Sequence, residues 1–204
     1  GHPWLTCALP VTCCCLPGND LFQALAKAGR LYPRFDSPDK AIVSASDDSA
    51  VLILADTYPA GRTALPASLL EQADQKRLRL YLEYPADLPG IACPPPRTAV
   101  WERGVVVAPV FCKDLRPGRL LAFHGCQFLP VSATNVWIAG AKVAGYDTAV
   151  YGLPAESFPI LFEVPQRRWL VSTTKLSQFV AGRYAPLQDW LRVWEGILDH
   201  LAPS

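Results

Sequence analysis

Short apolar runs that end on a polar residue dominate the pattern of this chain. SAVLILAD, closing at Asp56, is apolar without interruption, as expected of a strand covered on both faces. RLYLEYP repeats the pattern and reaches Glu83 just before Pro85. Between them, LPASLLEQADQKR places Leu69, Leu70 and Ala73 on one helical face, with Pro66 near the first turn. Strand, helix and strand within about 30 residues form a βαβ unit, with parallel strands and a right-handed crossover.

Upstream, GNDLFQALAKAGR predicts a helix. Asn19 or Asp20 can cap it, Leu21, Phe22 and Leu25 form its apolar face, and Gly29 suits the terminating position. Residues 1–18 read as a Pro/Cys-rich lead-in, and YPRFDSPDK as a loop because of its prolines. A proline-rich loop, PGIACPPPRTAVWERG, precedes the strand candidates VVVAPVF and RLLAFHGCQFLP. VWIAGAKVAGY, AVYG and PILFEV, separated by Gly and Pro, predict a small antiparallel extension, and RWLVSTT a further buried strand. PLQDWLRVWEGILDHL closes the chain as a helix, with Pro186 near its start. Its stripe of Leu187, Trp190, Leu191, Trp194, Ile197, Leu198 and Leu201 is expected to pack on the sheet. With no internal repeat or low-complexity segment, residues 1–204 read as a single α/β domain around a mostly parallel open sheet.

Composition narrows the function classes. The chain has 204 residues, half of them hydrophobic, enough for one substantial core. A formal net charge of +1, with no extended Lys/Arg run, argues against a nucleic-acid partner. No apolar stretch approaches the roughly 20 residues that cross a bilayer. The segment GHPWLTCALP has no basic region ahead of an apolar one, so it lacks a signal-peptide pattern. Seven cysteines are an odd number, so at least one thiol stays unpaired in a monomer. Cys7, Cys13, Cys14 and Cys15 cluster early, as small buried hydrophobes or with one disulfide among them. There is no C-x-x-C, and His2, His124 and His200 are scattered, which argues against a zinc site. No metal or cofactor is expected.

Candidate chemistry gathers at strand ends, because open parallel sheets bind ligands beyond the carboxyl ends of their strands. Those ends carry Asp56, Glu83, His124 in LLAFH, and Thr173, Thr174 and Lys175 in WLVSTTK. TTKLSQFVAGRYAP adds Arg183, whose planar fork of donors suits an anionic or polyhydroxylated ligand. Alternatively, Arg183 neutralises Glu83 or Asp56 and fixes the loop. Cys126 sits near His124 in FHGCQF, in an apolar neighbourhood where a thiol is usually inert.

The order VLILADTYPAG, helix, RLYLEYPADLPG, LVSTTKLSQF and final helix resembles the class I glutamine amidotransferase-like fold. The resemblance, over roughly residues 41–201, is to the branch related to trehalose-utilisation (ThuA-like) proteins, some of which accompany bacterial carbohydrate-degrading enzymes. It implies a three-layer, flavodoxin-like arrangement with helices on both faces of the sheet. It also implies a nucleophilic Cys at a sharp strand–helix turn and a late His–Glu pair. Here Glu83 or Tyr84 occupies that turn, Pro85 offers no N–H, and TTKLSQF contains no histidine, so glutamine hydrolysis by that route is not expected.

Three functions follow. The first is a catalytically altered domain binding a small polar ligand such as a carbohydrate through Asp56, Glu83, His124, Thr174, Lys175 and Arg183, accessory to glycan metabolism. The second is a sugar hydrolase or isomerase with Glu83 or Asp56 as acid/base. The third is a structural partner of a larger glycan-degrading enzyme, with Trp101, Trp137 or Tyr151 at an interface. Periplasmic or secreted placement is favoured over cytoplasmic, and an oligomer or partner protein fits each reading.

Overall fold

Among the described residues, the apolar runs form the spine of a mixed α/β structure with a nine-stranded sheet and four helices. The computed structural model describes residues 10–182, 184 and 187–203. Cys7, Arg183 and Pro186 lie outside the described residues.

The first half of the chain builds β1 (Val11–Cys14), α1 (Asp20–Lys27), β2 (Arg34–Phe35), α2 (Pro38–Ser44), β3 (Ala50–Ile53), α3 (Ala67–Gln75) and β4 (Arg79–Glu83). The second half adds β5 (Arg97–Thr98), β6 (Arg103–Val106), β7 (Leu120–Leu121), β8 (Gln127–Phe128), β9 (Val136–Ala141), β10 (Ser157–Val164), β11 (Trp169–Ser172) and α4 (Leu187–Leu201). In the main sheet the order is β2-β1-β3-β4-β11-β10-β9-β6-β7, while β5 and β8 pair separately. Pairing is parallel from β2 to β11 and antiparallel from β11 to β7. The antiparallel part is therefore not a small extension: β10, β9, β6 and β7 continue the same sheet.

The parallel strands divide their side chains between two cores, as period-two alternation dictates. Leu52 and Tyr81 join one core with α1 (Leu21, Leu25) and α4 (Trp190, Trp194, Ile197). Val51, Ile53, Leu80 and Leu82 join the other, with α2 (Ala41, Ile42) and α3 (Leu69, Leu70, Ala73).

Several segments depart from the sequence expectation, among them PGIACPPPRTAVWERG, expected as a loop, which holds β5 and the start of β6. The lead-in contains β1, with all four residues buried between β2 and β3. The expected loop YPRFDSPDK holds β2 and the start of α2. There Pro38 opens the helix and the Ser37 hydroxyl accepts from Lys40 N at 3.3 Å, so this proline starts structure instead of interrupting it. AVYG forms no strand. In β10, Pro159 lies where the pairing shifts register, and the bulge accommodates its missing N–H.

Cys13, Cys14 and Cys15 are buried, and no disulfide joins the described cysteines. Trp137 is also buried, whereas Trp101 and Tyr151 are exposed. Among the described residues, no helix is long and apolar enough to cross a membrane, and no group of three His, Cys, Asp or Glu side chains could hold a metal.

Candidate functional site

Parallel pairing places the carboxyl ends of β1, β3, β4 and β11 on one edge of the sheet. From β1 the chain runs through α1 to β2 on one side, then returns through α2 to β3 on the other. The connections diverge between β1 and β3, the position where an open sheet parts to form a ligand crevice. A hollow of about 290 Å3 occupies that place. Cys14, Cys15, Ile53 and Leu54 line its base, and Asp36, Asp56, Thr57, Arg62 and Thr63 supply its polar walls.

Asp56 is the best-connected polar group of this rim. Its carboxylate accepts from Leu16 N and from Asn19 Nδ2, the latter at 2.9 Å. Lys175 Nζ lies 3.6 Å from it, both side chains being largely but not wholly covered. Asn19 also caps α1, its Oδ1 accepting from Leu21 N and Phe22 N at 3.0 and 3.2 Å. Its amide meets Ser177 Oγ at 3.3 Å. Ser177 in turn holds Glu83, so one polar chain runs from Lys175 through Asp56, Asn19 and Ser177 to Glu83.

Glu83 is fully buried. Oε1 accepts from Ala55 N at 3.0 Å and Ser177 Oγ at 2.7 Å, and Oε2 from Tyr81 OH at 2.6 Å and Ser177 N at 3.0 Å. Burial pushes its carboxyl above the ordinary value, while these donors oppose the rise. Lys175 pairs with Asp56 and not with Glu83. Glu83 thus ties β4 to the loop after β3 and to the turn at Leu176–Gln178, and offers no surface to a ligand.

The remaining candidates separate. Thr174 is buried, its Oγ1 donating to Gln127 O at 2.7 Å, which fastens the end of β11 to β8. His124 follows β7 at the far end of the sheet, exposed beside Tyr184, and lines a different hollow. The Cys126 thiol points inward to Phe123 O at 3.1 Å, so it forms no nucleophile–base pair with the exposed His124. Arg183 lies outside the described residues.

At the turn after β4, where the resemblance places a nucleophile, Tyr84 is left-handed, with φ of 52°. A bulky residue there is strained. Its N–H donates to Ser172 O at 2.8 Å, Pro85 has none, and that of Ala86 donates to Thr63 O at 2.8 Å. The backbone donors of Tyr84 and Ala86 are therefore committed, and neither is free for an oxyanion. Burial also drives the Cys14 thiol in the crevice to about 12, which keeps it protonated and unreactive at neutral pH.

The sequence expectation did not include Asp36, Arg62, Thr63 or Ser177. Arg62 and Thr63 lie in TYPAGRTA, where a turn was expected and no chemistry. Ser177 is marked only by its closeness to Lys175. No protein-family model matches the chain, and no curated protein matches it.

Proposed function

We propose that this chain is an amidotransferase-like domain of the three-layer, flavodoxin-like kind, without Cys–His–Glu machinery, that binds a small polyhydroxylated ligand such as a carbohydrate and is accessory to glycan metabolism. The observation that carries the reading is the hollow at the β1/β3 switch point, with polar groups of both signs on its walls. Asp36 and Asp56 are acceptors for hydroxyl hydrogens, Arg62 keeps guanidinium donors beyond the one that Nη1 gives to Cys93 O at 3.1 Å, Thr57 can donate or accept, and Thr63, whose hydroxyl donates to Glu83 O at 2.7 Å, can still accept. That balance suits a neutral ligand rich in hydroxyls better than an anion. The strand order β2-β1-β3-β4-β11 and the strained turn at Tyr84 support the amidotransferase-like part of the proposal.

A hydrolase or isomerase reading would have to rest on Asp56, because Glu83 has no access to a substrate. The test is a panel of mono- and oligosaccharides assayed by calorimetry for binding and by product analysis for turnover. The expected result is saturable binding without turnover, weakened about tenfold or more in Arg62→Ala and Asp56→Asn, the scale of a lost charged hydrogen bond. Turnover abolished by Asp56→Asn would replace this reading with the enzymatic one.

A further inference from the structure

At the opposite end of the same rim lies a second hollow of about 530 Å3 with a different chemistry. Trp101 precedes β6, His124 follows β7 and Tyr146 follows β9. The strand directions bring all three to the edge that carries the crevice, roughly 25 Å away at about 4.8 Å per strand. Trp101 is 76% exposed and Tyr146 91% exposed. Leaving two large rings in water forgoes much of the burial such side chains normally gain.

The backbone beneath these rings is anchored. The Glu102 carboxylate, itself buried, accepts from Val100 N at 2.9 Å and Trp101 N at 3.2 Å, fixing the turn that presents the indole. Arg103 donates to Gly145 O at 2.7 Å and Tyr146 O at 3.1 Å, fixing the loop that presents the phenol. Arg119 is held by Asp189 at 3.1 Å and lines the hollow beside His124 and Asp147. Charged side chains thus hold rigid the segments that carry both exposed rings.

We propose that this hollow is a second ligand site, which binds a neutral saccharide by stacking a pyranose face on Trp101 and Tyr146. A pyranose ring has an apolar C–H face and an equatorial belt of hydroxyls. Two exposed aromatic faces edged by Asp147 and His124 complement both. The lining carries Arg103 and Arg119 against Glu102, Asp147 and Asp189, so it has no bias toward a phosphorylated ligand. A protein partner would favour a flatter, contiguous apolar patch, whereas here the rings rise from a concave, charged surround. This proposal does not rest on the crevice reading.

Neutral oligosaccharides of gluco-, galacto-, manno- and xylo-configuration, titrated by calorimetry and tryptophan emission, test it. At least one is expected to bind saturably and shift the Trp101 emission. Trp101→Ala and Tyr146→Ala are each expected to weaken that binding about tenfold or more, with the thermal midpoint unchanged because both rings are exposed. Arg62→Ala, in the crevice, is expected to leave it unchanged. The proposal is overturned if no saccharide binds, if binding survives the Trp101→Ala/Tyr146→Ala double variant, or if Arg62→Ala abolishes all binding. It is likewise overturned if light scattering shows a dimer that Trp101→Ala dissociates, since the face would then be a protein interface.

Discussion

Glu83 shows how much a single buried carboxylate can organise. Two of its donors are hydroxyls, which can rotate, and two are backbone N–H groups, which cannot. A protonated carboxyl can still accept from both N–H groups while turning its proton toward Tyr81 or Ser177. A glutamine must set its NH2 against one of them and leave that donor unpaired. Glu83→Gln is therefore expected to lower stability by roughly 2 kcal/mol, the cost of an orphaned buried donor, as measured by urea unfolding. Burial raises the folded-state value above the ordinary 4.5, so the native protein holds this proton more tightly than the unfolded chain does. The contribution is complete below the ordinary range and is lost as pH rises through the raised value. The wild-type midpoint should accordingly fall over that interval relative to that of Glu83→Gln. A constant difference between the two proteins with pH would mean that Glu83 is ionised in both states.

At the scale of elements, α4 sets local propensity against packing. Gly196 sits inside the helix, where alanine would gain about 1 kcal/mol. A Cβ there would lie 2.7 Å from the Phe111 ring, which itself packs edge-on to Trp137 with ring centroids 5.8 Å apart. Moving that pair costs more than the propensity returns, so Gly196→Ala is expected to destabilise by about 1 kcal/mol in thermal or urea unfolding. The α1 cap makes a simpler case: Asn19→Ala removes both the cap and the tie to Asp56, with an expected cost of about 1–2 kcal/mol. Elements with a strong period were legible from sequence, including the βαβ unit around α3 and the stripe of α4. β1 was not, because Val-Thr-Cys-Cys between prolines carries little strand signal, and its burial comes from β2 and β3 pairing on either side. α2 was obscured by the double role of proline: Pro38 reads as a loop residue unless Ser37 is recognised as its cap.

Across the whole molecule, the sequence located the rim better than it assigned roles along it. Asp56 and Lys175 do meet, since strand ends can be read from apolar runs. That Glu83 faces inward, and that Arg62 and Asp36 face the crevice, depends on loop geometry that no periodicity encodes. The same limit hid the size of the antiparallel half, whose short strands are specified by their neighbours. That half nevertheless shares its core with the parallel half. One core runs from Val11 on β1 through Trp137 on β9 and Ile160 on β10 to Leu201 on α4, so apolar contacts cross the boundary between parallel and antiparallel pairing. β11 and β10 also share a full antiparallel register across that boundary, from Leu161 opposite Ser172 to Val164 opposite Trp169. Splitting the halves would expose both surfaces at once, which favours a single cooperative transition over stepwise loss. Guanidinium unfolding should give coincident midpoints by far-UV circular dichroism and by tryptophan emission, to which Trp137 on β9 and Trp169 on β11 both contribute. An earlier emission change in wild type that disappears in Trp137→Phe would show the antiparallel half melting first, against the continuity of this core.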